Sequence, residues 1–241
     1  MPKKGSLIQI KLHPPFIAPD ILPRARLLDR LNEGLQRPLT LISASAGCGK
    51  STLASRWAAA CDCPSGWVSL DEGDNDPRIF LSYLLAALRS FHPEIEFRTE
   101  MILEADKLTA PDELAYHLLN DLQQLTKPFI LILDDYHRIT ETRVHDLVQV
   151  ILAYPPRAMH LVLVTRNDPP LSIATMRGRG LMTEVRTADL RFTRAEAAAF
   201  LTGMLNIPMD DATVELLDEK TEGWAAGLRL VGLYLRDRDD I

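Results

Sequence analysis

Residues 39–43, Leu-Thr-Leu-Ile-Ser, form a short apolar run of β character that passes directly into Ala44-Ser-Ala-Gly-Cys-Gly-Lys-Ser51, and a helical pattern follows over 50–60. Strand, glycine-rich loop and helix in that order constrain the fold more than any other stretch of the chain. Consecutive backbone N–H groups can curl around an anion only where residues tolerate positive φ and close approach, and Gly47 and Gly49 supply both. The helix behind the loop aims its first amides and its dipole at the same point. The segment fits the P-loop pattern, with Ala44 where the first glycine is usual. On this reading Ala46, Gly47, Cys48, Gly49, Lys50, Ser51 and Thr52 surround nucleotide phosphates. Lys50 bridges the β and γ phosphates, and the Ser51 hydroxyl ligates Mg²⁺.

The same alternation continues. Strand patterns at 67–70, 129–133, 161–165 and 183–186 are separated by helical ones at 78–91, 111–125 and 143–154. Five apolar strands joined by helices predict an α/β fold with a mostly parallel sheet flanked on both faces, because parallel neighbours need crossovers. Pro2, Pro14, Pro15, Pro19 and Pro23 make 1–23 an extended arm rather than a core element, with a short helix over 24–35 behind it. The nucleotide-binding domain is expected over 24–190. The tail, 191–241, changes texture: Thr193-Arg-Ala-Glu196 is a capping box, and 211–220 and 224–236 read as further helices, so a small all-helical lid is expected.

With 46% hydrophobic and 25% charged residues the chain can bury a substantial core, which excludes disordered and collagen-like readings. A net charge of -6 gives no broad basic field for non-specific nucleic-acid binding. No apolar stretch reaches the roughly 18 to 20 residues of a membrane helix, and the start carries no signal core. The expected location is the cytoplasm. Cys48, Cys61 and Cys63 are too few for a disulfide framework and lack zinc spacing.

A P-loop needs an acid to hold the metal. The apolar strand 129–133 ends in Asp134 and Asp135, at the carboxyl edge where α/β sheets bind ligands. Asp134 is expected to hold Mg²⁺ and Asp135 to orient a water against the γ-phosphate. Arg166, just after strand 161–165, is either a sensor of that phosphate or a surface arginine. Asp71 and Glu72 either face the phosphates or are solvated loop acids. The six histidines show no metal spacing and read as surface or packing residues, with His137 placed near the site by its position after Asp134-Asp135-Tyr136. Trp57, Trp67 and Trp224 read as core.

Several further segments carry a family resemblance: Trp67-Val-Ser-Leu-Asp-Glu-Gly-Asp-Asn75, Leu133-Asp-Asp-Tyr-His137, Thr165-Arg-Asn-Asp-Pro-Pro-Leu171, Asp189-Leu-Arg-Phe-Thr193 and Thr221-Glu-Gly-Trp-Ala-Ala-Gly-Leu228. Together they make the chain strongly resemble the MalT-like family, ATP-dependent LuxR-type transcription regulators of the STAND class of signal-transduction ATPases. The resemblance implies a switch that binds ATP or ADP with Mg²⁺ and hydrolyses ATP slowly, with a helical lid over the nucleotide. It implies that Arg24 lies near the adenine end, although Pro23 stands where a glycine is usual. Partners implied are the nucleotide, other regions of a longer regulator and, with ATP, further copies of the chain. The sensor and DNA-binding parts of such regulators do not fit within 241 residues, so the chain is expected to be an N-terminal fragment without specific DNA binding. The rival readings are a freestanding P-loop ATPase or nucleotide kinase, for which Arg177 and Arg179 would form a lid, and an interaction module holding a structural nucleotide.

Overall fold

The computed structural model describes residues 7–17, 21–105, 111–205 and 209–236. In chain order these form a 3-10 turn at Gln9–Leu12, α1 (Ala25–Gly34), β1 (Leu39–Ser43), α2 (Lys50–Ala60), β2 (Ser65–Ser69), a 3-10 turn at Glu72–Asn75 and α3 (Pro77–Arg89). Then come α4 (Arg98–Glu104), α5 (Pro111–Leu122), β3 (Phe129–Asp134), a 3-10 turn at Tyr136–Arg138, α6 (Thr142–Ala153), β4 (Met159–Thr165), α7 (Ile173–Gly178) and β5 (Met182–Arg186). The chain continues through α8 (Thr187–Leu190), α9 (Arg194–Leu205), α10 (Asp211–Thr221) and α11 (Ala225–Arg236).

The five strands form one parallel sheet in the order β2-β3-β4-β1-β5. β1 lies between β4 and β5, with Leu41 opposite Leu163 and Glu184. Every residue of β1, β3 and β4 is buried, as central strands covered on both faces require. The pleat sorts their side chains. Leu39, Leu41, Leu131, Leu133, Leu161 and Leu163 join the cluster under α3, α5 and α6. Ile42, Ile130, Ile132, Val162 and Val164 join the cluster containing Leu27, Leu31 and Trp57 of α1 and α2. Because the first strand is inserted in mid-sheet, chain direction diverges at its carboxyl end and opens a crevice there.

The five strands lie where the sequence places them, with β2 and β4 each beginning two residues earlier and β5 one residue earlier. α4, α7 and α8 had no clear periodic signal. The segment expected as an extended arm contains the Gln9–Leu12 turn, which packs against the body. Lys11 is only 8% exposed and pairs with Asp74 at 2.5 Å and Asp71 at 3.1 Å, while Leu7 and Leu12 lean on the larger core. A buried ammonium is tolerated there because two carboxylates meet it.

The tail carries a third cluster of Ala197, Phe200, Leu201, Met204 and Leu228, with Leu22 and Phe192 packed on it. The capping box at α9 forms as expected: the Glu196 N–H donates to Thr193 Oγ1 at 3.2 Å and the Thr193 N–H to Glu196 Oε2 at 2.9 Å. No helix of the described residues is long and apolar enough to cross a membrane.

Candidate nucleotide site

Gly47 and Gly49 take φ of 75° and 81°, in the left-handed region that lets the loop coil inward. Gly49 precedes α2 and accepts the Leu53 N–H at 2.9 Å, so the loop ends on a helix N-terminus. Lys50, 8% exposed, donates from Nζ to the Ser45 carbonyl at 2.9 Å, folding back over its own loop. Burial lowers its pKa, with the positive charge of Arg166 adding to the effect and Cys48 opposing it.

Ser51, in the first turn of α2, donates from Oγ to Asp134 Oδ1 at 2.9 Å. Asp134 ends β3 and is 4% exposed. Burial, with the neighbouring charge of Asp135, pushes its carboxyl up to about 6 in spite of the Ser51 hydrogen bond. Asp135 adopts a left-handed backbone, φ 56°, and its N–H donates to Asp134 Oδ1 at 2.9 Å while its side chain is 48% exposed. The structure therefore brings Lys50, Ser51, Asp134 and Asp135 to one strand edge. Arg166 follows β4, is exposed, and acts electrostatically on Lys50 and His137.

A cavity of about 580 Å³ opens beside the loop. Gly47, Cys48, Gly49 and Thr52 form one wall, Ile21 to Arg24 another, and Phe192, Phe200, Ala225 and Ala226 of the tail close it. The lining is mainly apolar and includes Arg24, Arg56 and Arg229. That volume and character suit a flat heteroaromatic ring with a sugar.

Arg24 lies in this wall, but its guanidinium is committed to the tail. It donates to the carbonyls of Leu190 at 2.6 Å and Arg191 at 2.5 Å, pairs with Glu196 at 3.1 Å and lies 4.4 Å from the centre of the Phe192 ring. Arg26 reaches the same carboxylate at 3.1 Å. Burial alone would raise the Glu196 carboxyl; Arg24, the Thr193 N–H and Arg26 outweigh it and hold it at about 2. This clasp was not legible in the sequence. The capping box flagged Glu196, but no local pattern pairs it with an arginine 172 residues away.

Trp224 corrects an expectation. It is 44% exposed rather than core. Its Nε1 lies 3.4 Å from the Ala46 carbonyl, and a Cβ built on Gly47 would stand 2.9 Å from its ring. The Ala226 N–H donates to the Gly47 carbonyl at 3.1 Å. Small residues at 225–227 let the α11 N-terminus sit directly on the loop.

Asp71 is occupied by Lys11 and by capping the Glu72–Asn75 turn, and Glu72 pairs at the surface with Arg138 at 3.5 Å. Arg177 is tied to Glu184 at 2.7 Å. His145 packs on Tyr136, and His160 is buried between Arg37 and Thr40, with burial lowering its pKa to about 4.

No protein-family model matches the chain. It is 36% identical over 230 residues to the HTH-type transcriptional regulator MalT of Serratia proteamaculans, covering 95% of the chain and 25% of that protein. It is 35% identical over 233 residues to MalT of Klebsiella pneumoniae, covering 97% and 26%. The chain thus spans about a quarter of the length of these relatives. Among solved structures the fold resembles the Walker-type ATPase of Pyrococcus abyssi, with TM-score 0.62, 18% identity and coverage of 90% of this chain and 69% of that one. It also resembles a STAND protein of Pyrococcus horikoshii with a tetratricopeptide-repeat sensor, with TM-score 0.62, 17% identity and coverage of 88% and 30%. Homology along nearly its whole length places the chain in the MalT-like family of regulators, as the counterpart of their N-terminal quarter, on a fold shared with the Walker-type and STAND ATPases.

Proposed function

We propose that the chain is the ATP/ADP-binding switch region of a MalT-like transcription activator. The observation that carries this reading is the cavity of about 580 Å³, walled by the P-loop on one side and roofed by the tail on the other. Adenosine fills the apolar part between 21–24 and the tail. The phosphates lie along the N–H groups from Ala46 to Thr52, where α2 begins. The domain is then 24–190 with 191–241 as its lid, and Arg24 serves the adenine end by holding the lid against it.

The residues present fit a magnesium ion. Ser51 Oγ and Asp134 Oδ1, 2.9 Å apart, are hard oxygen donors at the end of the phosphate loop. Desolvation raises the Asp134 pKa, an unfavourable state for a carboxylate that a divalent cation relieves. Held by Ser51 and Asp134, the ion would supply positive charge against the phosphate oxygens. Lys50 leaves the Ser45 carbonyl for those oxygens, and Asp135 accepts a hydrogen bond from the attacking water. The water oxygen bonds to the γ-phosphorus as the bridging P–O bond breaks; ADP leaves with that electron pair and the water's proton ends on inorganic phosphate. Arg166 is placed to follow the loss of the γ-phosphate.

Turnover is slow on this reading, because an aspartate at 135 reaches less far than the longer glutamate. Hydrolysis then controls conformation and ATP-dependent self-association within a longer regulator. This segment itself carries no specific DNA site. The test is the nucleotide released on denaturing the purified chain, identified by mass spectrometry, together with calorimetry of ADP and Mg-ATP. Co-purifying ADP and saturable binding are expected. Absence of both, in a folded chain, contradicts the proposal.

A further inference from the structure

Behind the two acids, the Tyr136–Arg138 turn is fixed at both ends. The Tyr136 ring is buried with its hydroxyl 3.0 Å from His145 Nδ1, and the Arg138 N–H donates to the Asp135 carbonyl at 2.9 Å. His137 lies between these two anchors, close enough to Asp135, Arg166 and Lys50 for their charges to act on it. Its side chain is 13% exposed, yet neither ring nitrogen has a hydrogen-bond partner although both are buried. Nδ1 lies 3.8 Å from Asp135 Oδ1, just beyond bonding distance. A buried imidazole with two unmet nitrogens is a standing cost to the fold and leaves a donor and an acceptor to offer.

We propose that His137 is a positioning residue: its Nδ1–H takes hold of the Asp135 carboxylate when Mg-ATP is bound and fixes the rotamer from which Asp135 orients the attacking water. This rests on the hydrolytic reading of the site given above. Three further observations agree with it. Asp135 has its backbone locked in the left-handed region but its carboxylate half exposed, so the side chain needs a second anchor to be directional. Burial, joined by the charges of Arg166, Arg138 and Lys50 and opposed by Asp135, lowers the pKa of the ring and so favours its neutral form. A neutral ring has one N–H to give, and a side-chain rotation of Asp135 would bring its carboxylate from 3.8 Å to bonding distance. Arg166 and Lys50 also act on the ring electrostatically, so it lies among groups assigned to the γ-phosphate.

Single-turnover ATP hydrolysis and ADP calorimetry on the whole chain test this with His137→Ala, His137→Asn, Asp135→Ala and the double variant His137→Ala/Asp135→Ala. His137→Ala is expected to slow the chemical step on the order of 10- to 100-fold with ADP affinity unchanged. Asn presents an amide N–H where Nδ1–H stood, so His137→Asn is expected to recover most of the rate. The double variant should be no slower than Asp135→Ala, the signature of one residue acting through the other. Wild-type rate in His137→Ala beside a slow Asp135→Ala overturns the positioning role and leaves the hydrolytic site intact. Fully multiplicative losses in the double variant overturn it as well. Wild-type rate in Asp135→Ala overturns the hydrolytic reading and the positioning role together. Melting curves accompany each variant, and a slow His137→Asn with wild-type melting and ADP affinity also counts against the donor role.

Discussion

At the scale of single residues, the site is built from groups holding substitutes for what a nucleotide would offer. Lys50 donates to a loop carbonyl and Ser51 to Asp134, contacts that phosphate and metal replace on the proposed reading. Lys50→Ala with Ser51→Ala removes those ligand contacts and little core packing. Mg-ATP affinity is expected to fall by about 3 kcal/mol, or about a hundredfold, with an unchanged circular dichroism spectrum. Calorimetry checks this. Gly47→Ala acts differently: it places a methyl at φ 75° and 2.9 Å from the Trp224 ring. The conformation costs about 1–2 kcal/mol and the ring must move. Trp57 and Trp67 are buried, so a red shift of tryptophan emission in Gly47→Ala reports Trp224 leaving the loop.

At the scale of elements, legibility followed locality. β1, β3 and β4 were readable because central parallel strands are apolar on both faces, and the loop because its glycines sit between a strand and a helix. α4, α7 and α8 are short and settle by packing, so periodicity had little length in which to show. Trp224 was misread for the same reason: an aromatic in an apolar segment reads as core, and nothing local says that its neighbour is Gly47, far back in the chain. The clasp of Arg24 and Arg26 on Glu196 likewise depends on tertiary structure. It gives α9 a pH signature. The folded pKa of Glu196, about 2, lies below the ordinary 4.5, so its stabilisation is complete above about 4.5 and is lost as pH falls towards 2. Hydrogen exchange in α9 is expected to rise over that window and to rise less in Glu196→Gln. At neutral pH that variant should weaken lid docking by about 1–3 kcal/mol, because two guanidiniums lose a charged acceptor.

At the scale of the whole molecule, contacts run from the Arg166 loop to the lid. Asp168 accepts from Ser43 at 3.3 Å and from Arg186, and the Arg186 N–H donates to Asp189 at 2.8 Å. Arg30 pairs with Asp189 at 2.7 Å, one residue before Leu190 and the Arg24 clasp. β1, β4, β5 and the start of the helical tail are thus joined beside the Arg166 loop, where the proposed reading places the γ-phosphate. Asp168→Ala is expected to preserve ADP binding while removing any difference in lid protection between ADP and ATP. A ligand shifts two states only through differential affinity, so ATP must favour a lid position other than the one seated on Gly47 if it is to signal. ADP held between loop and lid should stabilise the closed arrangement on the order of 3 kcal/mol at a hundredfold excess over its dissociation constant. Hydrogen exchange across 195–236 with and without saturating ADP measures this directly. Slowed exchange in α9 and α11 on adding ADP, absent in the Lys50→Ala/Ser51→Ala variant, is the expected result; identical exchange with and without bound ADP would contradict a nucleotide clamped between the P-loop and the helical lid.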